Sequence, residues 1–151
     1  MMSKWWKRLA ESRPPDFIIG GADYPYLRRW YVIPRNPVFN IYLHHFLRSD
    51  DDRALHDHPW LNLSILLRGQ YVEHTIKRGG VNVRTNRKAG DCKFRLPVAA
   101  HRIELNDGPC WTLFVTGPRL REWGFHCPAG WRHWKEFTKP QASGEIGRGC
   151  E

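Results

Sequence analysis

Hydrophobic and polar positions alternate along most of the chain, in short runs that are rich in β-branched and aromatic residues. Turn sequences such as Pro34-Arg35-Asn36-Pro37 and Asn106-Asp107-Gly108-Pro109 separate the runs. No long amphipathic helix pattern competes with them. Many short strands at regular spacing predict an all-β fold, either a barrel or a sandwich. Eleven runs predict strands, over residues 17–20, 26–33, 38–47, 60–67, 70–76, 81–86, 92–96, 101–105, 110–116, 120–125 and 131–137.

The two ends of the chain lack this pattern. Residues 1–16 form a basic, aromatic N-terminal segment, in which one or two turns of helix would end at Pro14 and Pro15. We expect Trp5 and Trp6 to pack on the barrel or on a partner chain, and contact with a membrane surface is the alternative. Residues 138–151 have little to bury and are predicted to be a disordered tail. A single folded domain is therefore predicted over residues 17–137.

The composition restricts the class of protein. The chain has 151 residues, which is enough for one domain with its own core. No run of 18 apolar residues is present, and the first 13 residues lack the apolar stretch of a signal peptide. We therefore expect a cytoplasmic protein with reduced cysteines. Cys92 and Cys110 fall in predicted strands and are expected to be buried, whereas Cys150 lies in the predicted tail.

The chain carries a formal net charge of +9, which indicates anionic partners. The basic residues are scattered singly through the predicted strands, and no helix-turn-helix, zinc-finger or RNA-recognition motif is present. We interpret the charge as a solvated surface that attracts a small anionic substrate. Nucleic-acid binding is the less favoured alternative.

The clearest chemical signal lies in residues 55–69, where two histidines precede an apolar run. In an extended chain His56 and His58 point to the same side, roughly 7 Å apart along the backbone. Asn62 and Ser64 continue that side, and the apolar residues between them line the other. Two imidazoles on one face can supply half of a metal site. Two half-buried structural histidines are the alternative.

A second unit downstream favours the metal site over two structural histidines. It consists of a turn at Gly90, a strand, a turn at Pro97 and then His101 at the start of the next strand. Together the two units resemble the two motifs of the cupin superfamily, over roughly residues 38–116. In this resemblance Asn62 stands at the position of a carboxylate ligand, and Gly69 stands at the position of a motif glycine.

The resemblance implies a double-stranded β-helix, the jelly-roll barrel of the cupins, whose inward residues share one cavity. It implies that His56, His58 and His101 are metal ligands, with Asn62 at the fourth position. An amide oxygen carries no charge and binds transition metals weakly, so a divalent ion would keep its full charge and favour anionic chelating ligands. Fe(II) is the predicted metal, and Ni, Zn or Mn are alternatives because imidazole suits several of these ions.

A three-histidine cupin site with the sequence His56-Asp57-His58 is similar to that of the cysteine (thiol) dioxygenases. Tyr26-Leu27-Arg28 resembles a Tyr-x-Arg pair of that family, which implies that Arg28 binds a substrate carboxylate. The likeness is incomplete, because Leu63 stands at the cross-link cysteine position. The family's Ser-His-Tyr relay would fall on residues that cannot move protons as His and Tyr do, namely Thr112, Phe114 and Thr116. Cysteine is therefore a poor substrate candidate.

Three further residues are candidates for a role in the site. Arg48 begins a polar loop that would border the cavity, where it would bind substrate or form a surface ion pair. Glu73, which shares a face of its strand with Tyr71, is a candidate acid-base group or outer ligand, and a hydrogen-bonded pair at the strand end is the alternative. Asp57 points away from the metal, and we favour a bond to loop amides over a role in orienting a ligand.

The sequence thus predicts a metal-binding cupin, and specifically a mononuclear non-haem Fe(II) dioxygenase-like enzyme that acts on a small anionic substrate. The alternatives are a non-catalytic cupin that binds a small molecule or sugar, a sugar isomerase, and a basic nucleic-acid-binding protein. The sequence also resembles small cupins of unknown function, some of them encoded by phages. A late aromatic block over residues 123–134 and the apolar strand edges favour a homodimer.

Overall fold

The computed structural model describes residues 4–50, 54–139 and 142–151, without the side chains of 142–144. Within these residues it has two short helices, α1 (Trp5–Ser12) and α2 (Trp134–Phe137). The strands are β1 (Phe17–Ile19), β2 (Leu27–Tyr31), β3 (Asn40–Phe46), β4 (Leu55–His56), β5 (Asn62–Arg68), β6 (Gln70–Lys77), β7 (Val81–Lys88), β8 (Cys92–Arg95), β9 (Arg102–Glu104), β10 (Cys110–Thr116), β11 (Gly124–Cys127), β12 (Gly130–His133), β13 (Thr138–Lys139) and β14 (Ala142–Ile146).

The strands form two main sheets, in which all the described pairings are antiparallel. One sheet has six strands in the order β1-β2-β3-β10-β5-β8. The other consists of two three-stranded pieces, β12-β11-β4 and β7-β6-β9. An isolated bridge between His56 and His101 joins these pieces. The predicted all-β architecture is therefore confirmed.

The first nine predicted strands are all present, with ends within two residues of the prediction. The last two differ. The strand predicted over 120–125 begins only at Gly124, where pairing with β12 begins, and a Cβ at Gly124 would lie 2.1 Å from the carbonyl oxygen of Arg132. The segment predicted as a strand over 131–137 turns into helix α2 after His133, whose side chain accepts a hydrogen bond from the backbone N–H of Lys135.

The core between the two sheets contains buried apolar residues from both. The six-stranded sheet contributes Leu27, Phe46, Leu66 and Cys110, and the facing sheet contributes Tyr71 and Ile103. Each of these six residues comes from a different strand, so the core is assembled from both sheets. The burial of Cys110 confirms its predicted place in the core, whereas Cys92 is exposed because it lies on the opposite face of the edge strand β8.

A second apolar cluster lies on the outer face of the six-stranded sheet and is covered by helix α1. Trp6 packs with Trp30 and Leu43, and its ring centroid lies 5.0 Å from that of Trp111. The helix ends at Ser12, before the two prolines. Trp6 therefore packs on the barrel, in agreement with one of the alternatives drawn from the sequence. Neither described helix has the length and apolar character that a membrane crossing requires.

The C-terminal segment, predicted to be a disordered tail, contains a short hairpin in the structure. β13 pairs with β14, and the backbone N–H groups of Gly147 and Gly149 both donate to the carbonyl of Phe137. Backbone hydrogen bonds hold this segment in place, although it has few apolar residues to bury.

The expectation of four reduced cysteines is wrong. Cys127 and Cys150 form a disulfide, with their Cα atoms 5.4 Å apart. Their separation of 23 residues gives no local signal, because only the return of the chain across β11 brings them within bonding range.

Gly69, which joins β5 to β6, offers a test of this packing. It has φ +86°, and a Cβ there would lie 2.9 Å from both the Cβ of Cys110 and the carbonyl oxygen of Pro109. Gly79 has a similar φ of +88° but open space around it. We expect Gly79→Ala to lower the free energy of unfolding by about 1 kcal/mol through backbone strain alone. Gly69→Ala should cost about 2–4 kcal/mol because steric overlap adds to that strain. Urea denaturation measures both, and equal losses would contradict the proposed close contact.

Candidate metal centre

Three histidines from separate parts of the chain meet at the junction of the two three-stranded pieces. His56 and His101 exchange backbone hydrogen bonds of 2.9 Å in both directions, and His58 follows on the same side of the chain as His56. One potential ligand atom from each imidazole lies within 4.8 Å of the others. The Nε2 atoms of His58 and His101 are 3.0 Å apart. The structure thus brings together the three histidines that the sequence nominates.

Burial keeps these imidazoles neutral. It lowers the pKa of His101 to about 4 and that of His58 well below its ordinary value, with the neighbouring imidazoles adding to the effect at His58. Burial also lowers the pKa of His56, although Asp50 and Asp57 oppose it. A neutral imidazole presents the lone pair that a metal ion requires. The donor set therefore fits a divalent transition metal that accepts nitrogen ligands.

Glu73 lies behind His101 rather than in the cavity. Its carboxylate is fully buried and accepts hydrogen bonds from Nδ1 of His101 at 3.0 Å, Nε of Arg95 at 2.9 Å and Nε of Arg87 at 2.9 Å. Burial raises the pKa of Glu73, but the bond from His101 and the charge of Arg95 outweigh it and hold that pKa well below its ordinary value. A carboxylate bonded to Nδ1–H leaves Nε2 of His101 free for a metal. Glu73 can therefore orient His101 from behind the cavity, and this geometry gives no support to the predicted catalytic role of Glu73.

Asp57 lies between two of the histidines and points to the other side of the chain. Its buried carboxylate accepts hydrogen bonds from the backbone N–H of Gly124 at 2.8 Å and from Nε1 of Trp131 at 3.0 Å. His126 and Arg121 also lie 3.0 Å from it. Asp57 therefore binds the distant β11–β12 hairpin through a strand N–H and an indole, and not the loop amides that we favoured from the sequence.

The triad lines a cavity of about 540 Å³ between the sheets. The cavity lining includes Arg29 but not Arg28, which is exposed on the other face of β2. The predicted substrate-binding role of Arg28 thus needs correction, because adjacent residues of a strand point to opposite faces. The cavity walls are mostly aromatic and apolar. They include Thr112 and Phe114, which stand at two of the relay positions in the resemblance but cannot move protons as His and Tyr do.

Arg29 is a partly buried cation that has no carboxylate partner among the described residues. Its Nε donates to Nε2 of His44 at 2.9 Å, and its guanidinium lies over the ring of Tyr42, 4.6 Å from the centroid. No carboxylate in the described part of the chain forms an ion pair with it, and burial lowers its pKa. Burial and the charge of Arg29 hold the pKa of His44 well below its ordinary value, so His44 is a neutral acceptor. A buried charge without a partner of opposite sign is costly, and an anionic ligand would offset that cost.

Arg48 does not line this cavity. Its guanidinium lies over the ring of Tyr24, 4.2 Å from the centroid, and donates to the Tyr24 carbonyl at 3.1 Å, in a separate surface depression. Asp50, which the sequence analysis did not nominate, lines the triad cavity instead. It accepts hydrogen bonds from the Tyr26 hydroxyl and from the backbone N–H of Ile103. One of its oxygens lies 3.8 Å from Nδ1 of His56.

Asn62, the predicted fourth ligand, is buried in β5. Its Nδ2 donates to the carbonyl of Trp60 at 3.5 Å, and its Oδ1 has no hydrogen-bond partner in the described residues. Ser64, two positions along the same face, lines the cavity, whereas Asn62 is not among the lining residues. A buried amide oxygen without a partner is available for a ligand, so Asn62 stays a predicted ligand.

Alternation along the strand would have identified Arg29 and His44. The two residues are directly paired between β2 and β3, and His44 shares its face with the buried Tyr42 and Phe46. Which of Arg28 and Arg29 faces the cavity depends on the side to which alternate residues of β2 point. The resemblance of Tyr26-Leu27-Arg28 to a family motif indicated Arg28 instead. Nothing in the sequence marks Asp50 apart from its place in an acidic loop.

No family model and no curated protein sequence matches the chain. Among solved structures, Fe(II) HppE is similar with a TM-score of 0.53 and 15% identity, and the match covers 70% of this chain and 56% of that one. A protein from Klebsiella pneumoniae with a double-stranded β-helix domain has a TM-score of 0.52 and 18% identity, over 72% of this chain and 90% of that one. A putative mannose-6-phosphate isomerase from Ralstonia eutropha has a TM-score of 0.52 and 15% identity, over 68% and 92%. This chain thus spans just over half of the Fe(II) HppE chain, and the similarities confirm the double-stranded β-helix fold.

Replacement of Glu73 tests the support of the triad. Glu73→Gln removes the charge that holds Arg95, Arg87 and His101, so we expect the free energy of unfolding to fall by about 3–5 kcal/mol. Zinc affinity, measured by calorimetry, should fall about 10- to 100-fold because the acceptor that orients His101 loses its negative charge. The control is Glu104→Gln at the partly exposed pair with His74, which should change stability by about 1 kcal/mol or less. Equal effects of the two substitutions would contradict the special role of Glu73.

The buried histidines also predict an acid-sensitive fold. His44 is neutral when folded but takes up a proton in the unfolded chain below about pH 6.5. Its contribution to stability is therefore complete above that pH and is lost as the pH falls, by up to about 1.4 kcal/mol per pH unit. Urea denaturation between pH 7 and 5, with a chelator present, should show a slope reduced by about one such contribution in His44→Gln. An unchanged slope would show that His44 is protonated in the folded protein.

Proposed function

We propose that this cupin-fold protein is a metal-dependent enzyme of the mononuclear non-haem Fe(II) oxygenase type, acting on a small organic anion. One observation carries the proposal. The potential ligand atoms of His56, His58 and His101 lie within 4.8 Å of one another, in a cavity that is also lined by Arg29, a partly buried cation with no carboxylate partner in the described part of the chain. The similarity to Fe(II) HppE supports the choice of iron among the metals that imidazole accepts.

The three histidines would hold the ion and leave further coordination positions for ligands. When bound, the ion would supply a Lewis acid and a redox centre for dioxygen chemistry on a chelated substrate. Glu73 would hold His101 in the tautomer that presents Nε2, and Asn62 is the proposed fourth ligand. Neither contributes a negative charge to the coordination sphere, because Glu73 is engaged behind His101 and an amide is neutral.

The substrate's anionic group would bind to Arg29. A guanidinium fork can donate two parallel hydrogen bonds to a carboxylate, and burial strengthens them because water is excluded. Arg29 thus takes the role that the sequence assigned to Arg28 or Arg48. Asp50, which accepts hydrogen bonds from Tyr26 and Ile103, would limit how the substrate fits beside His56. The net charge of +9 would favour the approach of anions.

A sugar isomerase is the second candidate, and a non-catalytic sugar-binding cupin is a variant of it. The similarity to a putative mannose-6-phosphate isomerase favours it, since the match covers 92% of that chain. A phosphorylated sugar would also place its anion on Arg29. This candidate requires metal-dependent interconversion of an aldose and a ketose without oxygen consumption.

Metal content tests the proposal directly. We expect protein purified without added metal to contain about one iron per chain, measured by elemental analysis. His58→Ala should lose it, because two imidazoles bind iron much more weakly than three. His133→Ala is the control, since His133 pairs with Glu122 and lies outside the cavity lining.

Oxygen consumption then separates the two candidate enzymes. The iron-loaded protein should consume oxygen with a member of a panel of thiol and hydroxy carboxylates, and Arg29→Met should abolish the activity. Sugar phosphate isomerisation without oxygen consumption would favour the second candidate. A protein that binds no metal after reconstitution would contradict both enzymes.

A further inference from the structure

We propose that the cavity binds an aromatic carboxylic acid, with its carboxylate on Arg29 and its ring among the tryptophans of the cavity lining. The proposal rests on the proposed function for the place of the metal and of the anion. It goes beyond it by assigning the rest of the substrate.

Four aromatic residues connected by ring contacts form one region of the cavity lining, which we call the aromatic wall: Trp123, Phe125, Trp134 and Phe137. The rings of Trp123 and Trp134 are nearly parallel with centroids 5.8 Å apart, and those of Phe125 and Phe137 are stacked at 3.7 Å. Aromatic rings held by one another present a rigid, flat and apolar surface. Such a surface fits a flat apolar ligand group.

Ring contacts connect Arg29 and the aromatic wall to different histidines of the triad. His44, which accepts a hydrogen bond from Arg29, has its ring 5.2 Å from that of Phe114, and Phe114 lies 5.6 Å from His58. His56 lies 6.1 Å from Phe125 of the wall. A ligand that contacts both groups would therefore lie beside the metal position. A volume of about 540 Å³ is within the usual range for small-molecule sites.

Each end of the cavity carries a polar group whose interactions within the described residues are incomplete. Arg29 has no carboxylate in the described part of the chain, and Nε1 of Trp134 is a buried donor without an acceptor there. A buried donor without an acceptor costs roughly 1–3 kcal/mol, and an unpaired charge costs more. A ligand with a carboxylate at one end and a single acceptor on its ring would satisfy both groups.

The need to pair every buried polar group also disfavours a sugar at the aromatic wall. A sugar ring brings several hydroxyl groups, each of which needs a partner when it is buried. The polar side chains next to the wall are already engaged, because the Thr138 hydroxyl donates to the Trp134 carbonyl and Glu145 pairs with Lys139. Trp134 Nε1 is the one buried polar atom of the described wall residues that lacks a partner. An aryl ring with one acceptor therefore fits better than a sugar.

The experiment measures binding by calorimetry to the zinc-loaded full chain, so that no catalysis is needed. The probes are 3-(4-methoxyphenyl)propanoate, 3-phenylpropanoate, propanoate and mannose 6-phosphate. We expect the methoxyphenyl acid to bind at least about tenfold more tightly than propanoate and than the sugar phosphate. Trp134→Phe keeps an aromatic ring without Nε1 and should remove the preference for the methoxyphenyl acid over the phenyl acid.

Two matched pairs of variants locate the ends of the ligand. Trp123→Leu should weaken binding of the aryl acids about tenfold, whereas Trp5→Leu on helix α1, outside the cavity lining, should not change it. Arg29→Met should weaken binding of every acid, whereas Arg28→Met on the outer face should have no effect. Calorimetry of the unmodified chain at two pH values above 7 provides a check that the probes stay ionised.

The outcomes separate this inference from the proposed function. Equal affinity for propanoate and the aryl acids, or tighter binding of mannose 6-phosphate, would overturn the inference. Tight binding of aryl acids with no oxygen consumption by the iron-loaded protein would support the inference and contradict the oxygenase. Oxygen consumption with small aliphatic acids alone would support the oxygenase and overturn the aromatic substrate.

Discussion

The buried carboxylate of Glu73 is the interaction on which the rest of the structure depends. It extends from β6 in one sheet to Arg95 in β8 of the other, and it also receives Arg87 from β7. Removing a carboxylate from water is expensive, and here three donors with good geometry offset that cost. Because one of the donors is His101, the contact that joins the two sheets also orients a candidate metal ligand. Barrel closure and site geometry are therefore one constraint.

The short segment from His56 to His58 positions most of the rest of the candidate metal centre. His56 and His58 face the cavity, and the intervening Asp57 binds the β11–β12 hairpin on the opposite side. The hairpin in turn brings Phe125 beside His56. Alternation of side chains along one extended segment thus fixes two ligands and the cavity wall behind them. The bridge from His56 to His101 then sets the position of the third ligand.

The arginines in and around the cavity differ in whether a carboxylate balances their charge. Arg95 and Arg87 share the carboxylate of Glu73, while Arg29 contacts a neutral imidazole and an aromatic face and has no carboxylate partner among the described residues. The three histidines of the centre are neutral because burial disfavours their charged forms. A cation bound there would add to the field of Arg29, so the cavity as a whole favours negative ligands.

The sequence by itself determined the β architecture and the three histidines, because both depend on local alternation, turn residues and motif spacing. Nine strands follow from period-two patterns, and Gly69 marks a turn at which a side chain has no room. Tertiary structure decided what depends on distant partners: the choice of Arg29 over Arg28 as the cavity cation, the engagement of Glu73, and the pairing of Cys127 with Cys150. A shift of one residue reverses the face of a strand, and a pair separated by many residues leaves no local trace, so neither could be read from the chain alone.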